Sequence, residues 1–120
     1  MQKKTLVLGA SLKENRYSFK AINKLKENRI PVVALGLRKG EVAAITIDTE
    51  MLPYKNIDTV TLYLNPKRQE VYYDYIISLE PKRVIFNPGT ENTYFVKLLQ
   101  ENNIESEVAC TLVLLAINQY

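Results

Sequence analysis

The 120-residue sequence contains no histidine, one cysteine and only four glycines. Without histidine the commonest general base and metal-ligating side chain is missing, and Ser-His-Asp and Cys-His mechanisms are excluded with it. A lone Cys110 builds neither an internal disulfide framework nor a cysteine-based zinc site. Charge of one sign is also scarce: 16 Lys plus Arg stand against 13 Asp plus Glu, a formal charge of +3. These charges are spread along the chain, whereas a nucleic-acid partner calls for a basic face or stripe. Long hydrophobic runs are absent too. Leu6 to Ala10 is too short for the apolar core of a signal peptide, and the stretch around Ala109 to Ile117 is too short to span a bilayer. The expectation is a cytoplasmic protein with a reduced cysteine and neither nucleic acid nor membrane as partner. What the sequence does have, 47% hydrophobic and 24% charged residues, suffices for one core and one domain over residues 1–120.

A βα rhythm runs along the chain. Thr5 to Gly9 is a short apolar run ending in glycine, as in a buried parallel strand. From Arg16 to Asn28, Ser18, Ile22 and Leu25 recur at helical spacing among lysines, with Asn15 as the expected N-cap. Pro31 to Leu35 is a second apolar strand, closed by Gly36. Between Leu37 and Ile57, Val42 to Ile47 suits a short extended segment and Pro53 a turn; the stretch is expected to be a connection with about one turn of helix. Asp58 to Leu64 alternates threonine with Val60, Leu62 and Leu64, a strand pattern. Asn65-Pro66 combines an N-cap with proline at the first helical position, and Tyr72, Tyr75, Ile76 and Leu79 form the buried stripe of a helix that Pro81 stops. Lys82 to Phe86 is a further strand. Glu91 to Asn102 reads as a helix with Tyr94, Phe95, Leu98 and Leu99 inward, Ile104 to Ala109 as a fifth strand and Thr111 to Asn118 as a last helix. The predicted class is α/β, a three-layer fold around a five-stranded parallel sheet.

Such sheets bind ligands outside the carboxyl ends of their strands, where strand order reverses. At the first end stand Gly9, Ala10 and Ser11, followed by Arg16 and Ser18 at the start of the helix. Glycine allows a sharp turn, the helix N-terminus offers amide donors, and the side chains add more: a pattern for anion capture, or equally a plain βα turn. The second end reads Leu35-Gly36 and then Arg38-Lys39. Where dinucleotide-binding folds commonly place an acid for a free ribose diol, this chain offers cations, which suit a phosphorylated ribose or a solvated loop. At the third and fourth ends, Tyr63, Leu64, Asn65 and Pro66, and Asn87 with Gly89, serve either to cap helices or to line a slot.

Taken together, Val7-Leu-Gly-Ala-Ser11 with Arg16 and Ser18, Pro31-Val, Lys39-Gly-Glu-Val42, the strand into Leu64 and Val84-Ile-Phe-Asn-Pro-Gly89 resemble the small stand-alone CoA-binding proteins. These Rossmann-like domains are related to the nucleotide-binding domain of the succinyl-CoA synthetase alpha subunit. The resemblance implies a five-stranded sheet in the order 3-2-1-4-5. It implies coenzyme A with its pyrophosphate at Gly9, Ala10 and Ser11, aided by Arg16 and Ser18. The adenosine end lies by implication near Leu35, Gly36 and Lys39, and the pantetheine runs past Leu64, Asn65 and Pro66 toward Asn87 and Gly89. Two departures stand out. Many members carry Asn-Pro after strand two where this chain has Gly36-Leu37, and the late Asp-Arg-Cys of many members is here Val108-Ala109-Cys110.

The resulting expectation is a module that binds CoA or an acyl-CoA without catalysis. No histidine is present to act as base for Cys110, whose apolar neighbours suit a small buried hydrophobe. The alternatives are an NADP-binding oxidoreductase-like domain and a ligand-free protein-interaction domain, with Leu112 to Ile117 as the candidate face of a homodimer.

Overall fold

The structure, a computed structural model, describes residues 3–120. The elements run β1 (Thr5–Ala10), α1 (Tyr17–Glu27), β2 (Val32–Gly36), β3 (Gly40–Val42), β4 (Ile45–Asp48), β5 (Thr59–Leu62), α2 (Pro66–Gln69), a 3₁₀ turn (Glu70–Tyr72), α3 (Tyr73–Ser78), β6 (Arg83–Phe86), α4 (Thr93–Glu101), β7 (Glu105–Val108) and α5 (Thr111–Ala116). Strand residues alternate between the two faces of the sheet, and both faces are apolar where helices cover them. Leu6, Leu8, Val60, Leu62, Val84 and Phe86 pack with Ile76, Phe95 and Leu99 on one side. Val7, Ala10, Ala34 and Ile47 pack with Ile22, Leu25 and Leu115 on the other.

The sheet corrects the predicted five strands and their order: it has seven strands, ordered β3-β4-β2-β1-β5-β6-β7. All neighbours are parallel except the antiparallel pair β3 and β4. Where one short extended segment over Val42 to Ile47 was expected, residues 37–57 hold a two-stranded hairpin of β3 and β4, and β4 takes the place beside β2. The next strand, β5, therefore crosses to the far side of β1, so the reversal of strand order falls between β1 and β5. The hairpin escaped detection because its turn is made by Ala43 and Ala44 at φ 50° and 64°. Asn-Gly or Asp-Gly normally marks such a left-handed pair, and two alanines give no such signal. The crossover from β4 to β5 contains no helix, contrary to expectation.

Local starts and stops follow capping chemistry. Asn65 Oδ1 accepts from the Arg68 amide at 2.9 Å, as the Asn-Pro pair predicts. Asn15 does not cap α1; the N-cap is Arg16, and no side chain caps it. In α4, Phe95 and Leu99 are buried, but Tyr94 is 67% exposed, since it sits about 100° around the helix from Phe95. In α5 only Thr111 and Leu115 are buried, leaving Val113 and Ile117 of the candidate dimer face outward.

Gly36 illustrates close approach. The pairing of β1 with β2 shifts register between Leu8 and Ala10, and a Cβ at Gly36 would stand 2.3 Å from the Ala10 carbonyl oxygen. The carbonyl belongs to packed backbone, so Gly36→Ala is expected to cost about 2 kcal/mol by forcing strands apart. Chemical denaturation measures it; an unchanged midpoint would refute the tight contact.

Candidate functional site

Four strands, β1, β2, β5 and β6, end at one cleft of about 450 Å³, a volume in the usual range for small-molecule sites. Its floor is the carboxyl end of β1, where the pairing with β2 shifts register between Leu8 and Ala10. Gly9 lies at φ 95°, and a Cβ there would meet the Tyr63 carbonyl group at 3.0 Å. Only glycine lets β1 turn this closely under the end of β5. Ser11 Oγ accepts from the Lys13 amide at 3.1 Å and shapes the loop into α1. The N-terminal residues of α1, Arg16, Tyr17 and Ser18, line the cleft and no side chain caps the helix, so the positive end of its dipole stands at the cleft with first-turn amides left for an anion.

Charge in the cleft is one-sided. Lys13, Arg16, Arg38 and Arg68 line it, and no Asp or Glu does. For a chain with nearly balanced charge this is a strong local bias, and a walled cleft focuses it on an incoming anion.

The structure brings together Gly9, Ala10, Ser11, Arg16, Ser18, Gly36, Leu64, Asn65 and Gly89 from among the residues singled out by sequence. The other four lie elsewhere. Leu35 is 1% exposed and belongs to the core beneath the cleft. Lys39 is exposed outside the lining, and Arg38 occupies the wall instead. Pro66 opens α2 on its exposed side. Asn87 is buried, with its amide committed inside the protein.

Asn87 Nδ2 donates to Thr61 Oγ1 at 2.7 Å and to the Leu62 carbonyl at 2.9 Å. Its Oδ1 accepts from the Thr111 amide at 2.9 Å, tying β5, β6 and the start of α5 together. Gln69, wholly buried, does the same for the two loops forming the opposite wall. Its Nε2 donates to the Leu64 and Thr90 carbonyls, each at 2.8 Å, and its Oε1 accepts from Asn92 Nδ2 at 2.9 Å. Sequence reasoning missed Gln69, and it also missed Arg68, Tyr72 and Thr90. The available signal for Arg68 was its place in the first turn after the Asn65 cap, on a strand-end loop.

Tyr63 lines the cleft, while its hydroxyl is buried without a hydrogen-bond partner among the described residues. Burial pushes its pKa up from 10.0 to about 12. Burial also raises Tyr75 to about 12, with Asp48 adding to the shift. A raised folded-state pKa contributes stability that is fully present below pH 10 and lost as pH climbs through 12. Stability is therefore expected to fall between those values, and to fall less in Tyr63→Phe. Urea midpoints at pH 8 and pH 11 check both points; identical pH slopes in the two proteins would contradict the account.

Among the described residues no cluster of three His, Cys, Asp or Glu side chains is placed to hold a metal ion. None of the helices is long and apolar enough to cross a membrane.

A mostly parallel α/β sheet with a glycine-floored, cationic cleft at its switch point defines the class as Rossmann-like nucleotide-binding. The family described as CoA binding domain matches over residues 3–116, and the chain belongs to it. Among solved structures, the chain is similar to an uncharacterized protein at 48% identity and a TM-score of 0.97, covering 100% of this chain and 99% of that one. A hypothetical protein from Pyrococcus horikoshii is 27% identical with a TM-score of 0.83, over 93% of this chain and 80% of the other. A protein from Thermus thermophilus shares the fold at 20% identity and a TM-score of 0.86, over 99% and 91% of the two chains. No curated protein matches the chain.

Proposed function

We propose that the chain binds coenzyme A or an acyl-CoA in this cleft and performs no chemistry of its own. The observation that carries this reading is the set of four cationic side chains, with no carboxylate, around a glycine turn and an uncapped helix N-terminus. Gly9 to Ser11 and the α1 amides receive the pyrophosphate, with Arg16 and Ser18 beside it. Arg38, at the lip after β2, meets the 3′-phosphate, and Lys39 adds charge from outside. The pantetheine then passes Leu64 and Asn65 toward Gly89. Asn87 supports these loops from below and makes no contact with the ligand. A module without catalysis fits a chain that has no histidine, and a thiol ligand and free Cys110 fit a reducing cytoplasm.

A 2′-phosphate on NADP would also suit Arg38, so the test compares ligands. Purified protein, unfolded and refolded to strip carried-over ligand, is titrated calorimetrically with CoA, dephospho-CoA and NADP. Tight CoA binding that weakens about tenfold or more without the 3′-phosphate supports the reading, since one charge-assisted contact is worth about 1.5 kcal/mol or more. Stronger binding of NADP would transfer the cleft to the oxidoreductase-like reading. Failure of all three would leave the protein-interaction reading.

A further inference from the structure

We infer that two copies of this chain associate through the face that carries α5, about a two-fold axis running along that helix. From Leu112 to Ile117 the sequence is apolar at every position, and a helix that is apolar all round is normally covered all round. Only Thr111 and Leu115 of α5 are buried. Val113 and Ile117, one turn apart on the side away from the sheet, are 53% and 56% exposed. The helix starts over β5, where the Thr111 and Thr61 hydroxyls bond at 2.8 Å. It therefore lies between α1, which covers β1 and β2, and the edge strand β7.

The charges on either side of α5 select the partner. On α1, Lys26 donates to the Ala43 carbonyl of the β3–β4 hairpin, so at 100° per residue Tyr17 and Lys24 fall on the opposite flank, toward α5, with Lys20 outermost beside them. On β7, Glu105 and Glu107 stand in register with Arg83 and Ile85. They face the α5 side of the sheet, where Arg83 stacks on the Tyr120 ring at 4.5 Å. Lys24 pairs with Glu27, and Glu107 with Arg83. Lys20 and Glu105 are exposed and have no ion-pair partner among the described residues. Across the face the order is thus cationic, apolar, acidic. A two-fold axis along α5 sets Val113 and Ile117 against their own counterparts and the Lys20 flank of each copy toward the Glu105 edge of the other, so that each favourable pairing occurs twice. An axis across α5 would set lysine against lysine, and pairing two β7 edges would set these glutamates against one another.

Sedimentation equilibrium over a dilution series tests this. Wild-type protein is expected to be a dimer at sub-millimolar concentration, and the dimer to weaken as salt is added. Val113→Glu, which opposes like charges at the axis, is expected to be monomeric over the same range. Its melting temperature should change little, since a glutamate in the first turn of a helix is favourable to the helix. Lys20→Glu and Glu105→Lys are each expected to weaken association about tenfold, because a two-fold dimer carries each change twice. An equimolar mixture of those two variants is expected to associate as tightly as wild type, because in the mixed dimer both pairings again join opposite charges. A monomeric wild type, a dimer that survives Val113→Glu, or a mixture no tighter than its components overturns the inference. CoA titration of the same samples reads the ligand separately, and none of these outcomes bears on the CoA reading.

Discussion

Reversing one charge, in Arg16→Glu, is expected to weaken CoA binding about 100-fold, the equivalent of losing a charge-assisted phosphate contact worth about 2.7 kcal/mol. Arg16 is the N-cap of α1, and its side chain lines the cleft beside the turn at Gly9. The substitution replaces attraction by repulsion at the point where the helix dipole and the free amides converge. An acidic residue near a helix N-terminus is not in itself unfavourable to the fold, so the melting temperature should change little. Titration of both proteins with CoA at two salt concentrations reads the effect. Loss of affinity with a weaker salt dependence is the expected result, and unchanged affinity would remove Arg16 from the phosphate site.

The largest stability effect is expected at Asn87. Asn87→Ala removes two donated bonds and one accepted bond inside the protein and leaves the Thr111 amide and Leu62 carbonyl buried without that partner. Each unsatisfied buried group costs about 1–3 kcal/mol, so a loss of about 3 kcal/mol or more is expected. Denaturant unfolding measures this directly. CoA affinity, measured well below the unfolding transition, should change much less, because the Asn87 amide faces the interior. Loss of affinity with intact stability would instead mean that Asn87 reaches the pantetheine.

The contrast between Asn87 and Arg16 shows what could be read from the sequence. The placement of Gly9, Ser11, Arg16 and Ser18 along one cleft was legible because it is set locally: a strand end, a turn and a helix start lie within ten residues. Asn87 stood at the right strand end, but what its amide touches depends on Thr61 and Thr111, which approach only once β5 and α5 are in place. Gln69 was invisible for the same reason, since its partners Leu64, Thr90 and Asn92 come from two loops. The β-α-β units were plain from apolar periodicity. The hairpin was not, since Ala43 and Ala44 adopt left-handed backbone that alanine ordinarily avoids and that tertiary context here imposes. Missing it misplaced β5, because each strand's neighbour depends on how many strands precede the crossover.

The most direct test of the account is where CoA sits. Backbone amide resonances of the ¹⁵N-labelled protein, followed during titration with CoA, should shift most at Gly9 to Ser18 and Gly36 to Arg38, with smaller changes at Leu64, Asn65 and Gly89. The second cavity, at the opposite end of the sheet and lined by Lys3, Arg29 and Tyr120, should stay unperturbed. Shifts concentrated around Arg29 and Tyr120, or none at saturating CoA, would contradict the assignment of the cleft at the carboxyl ends of the strands.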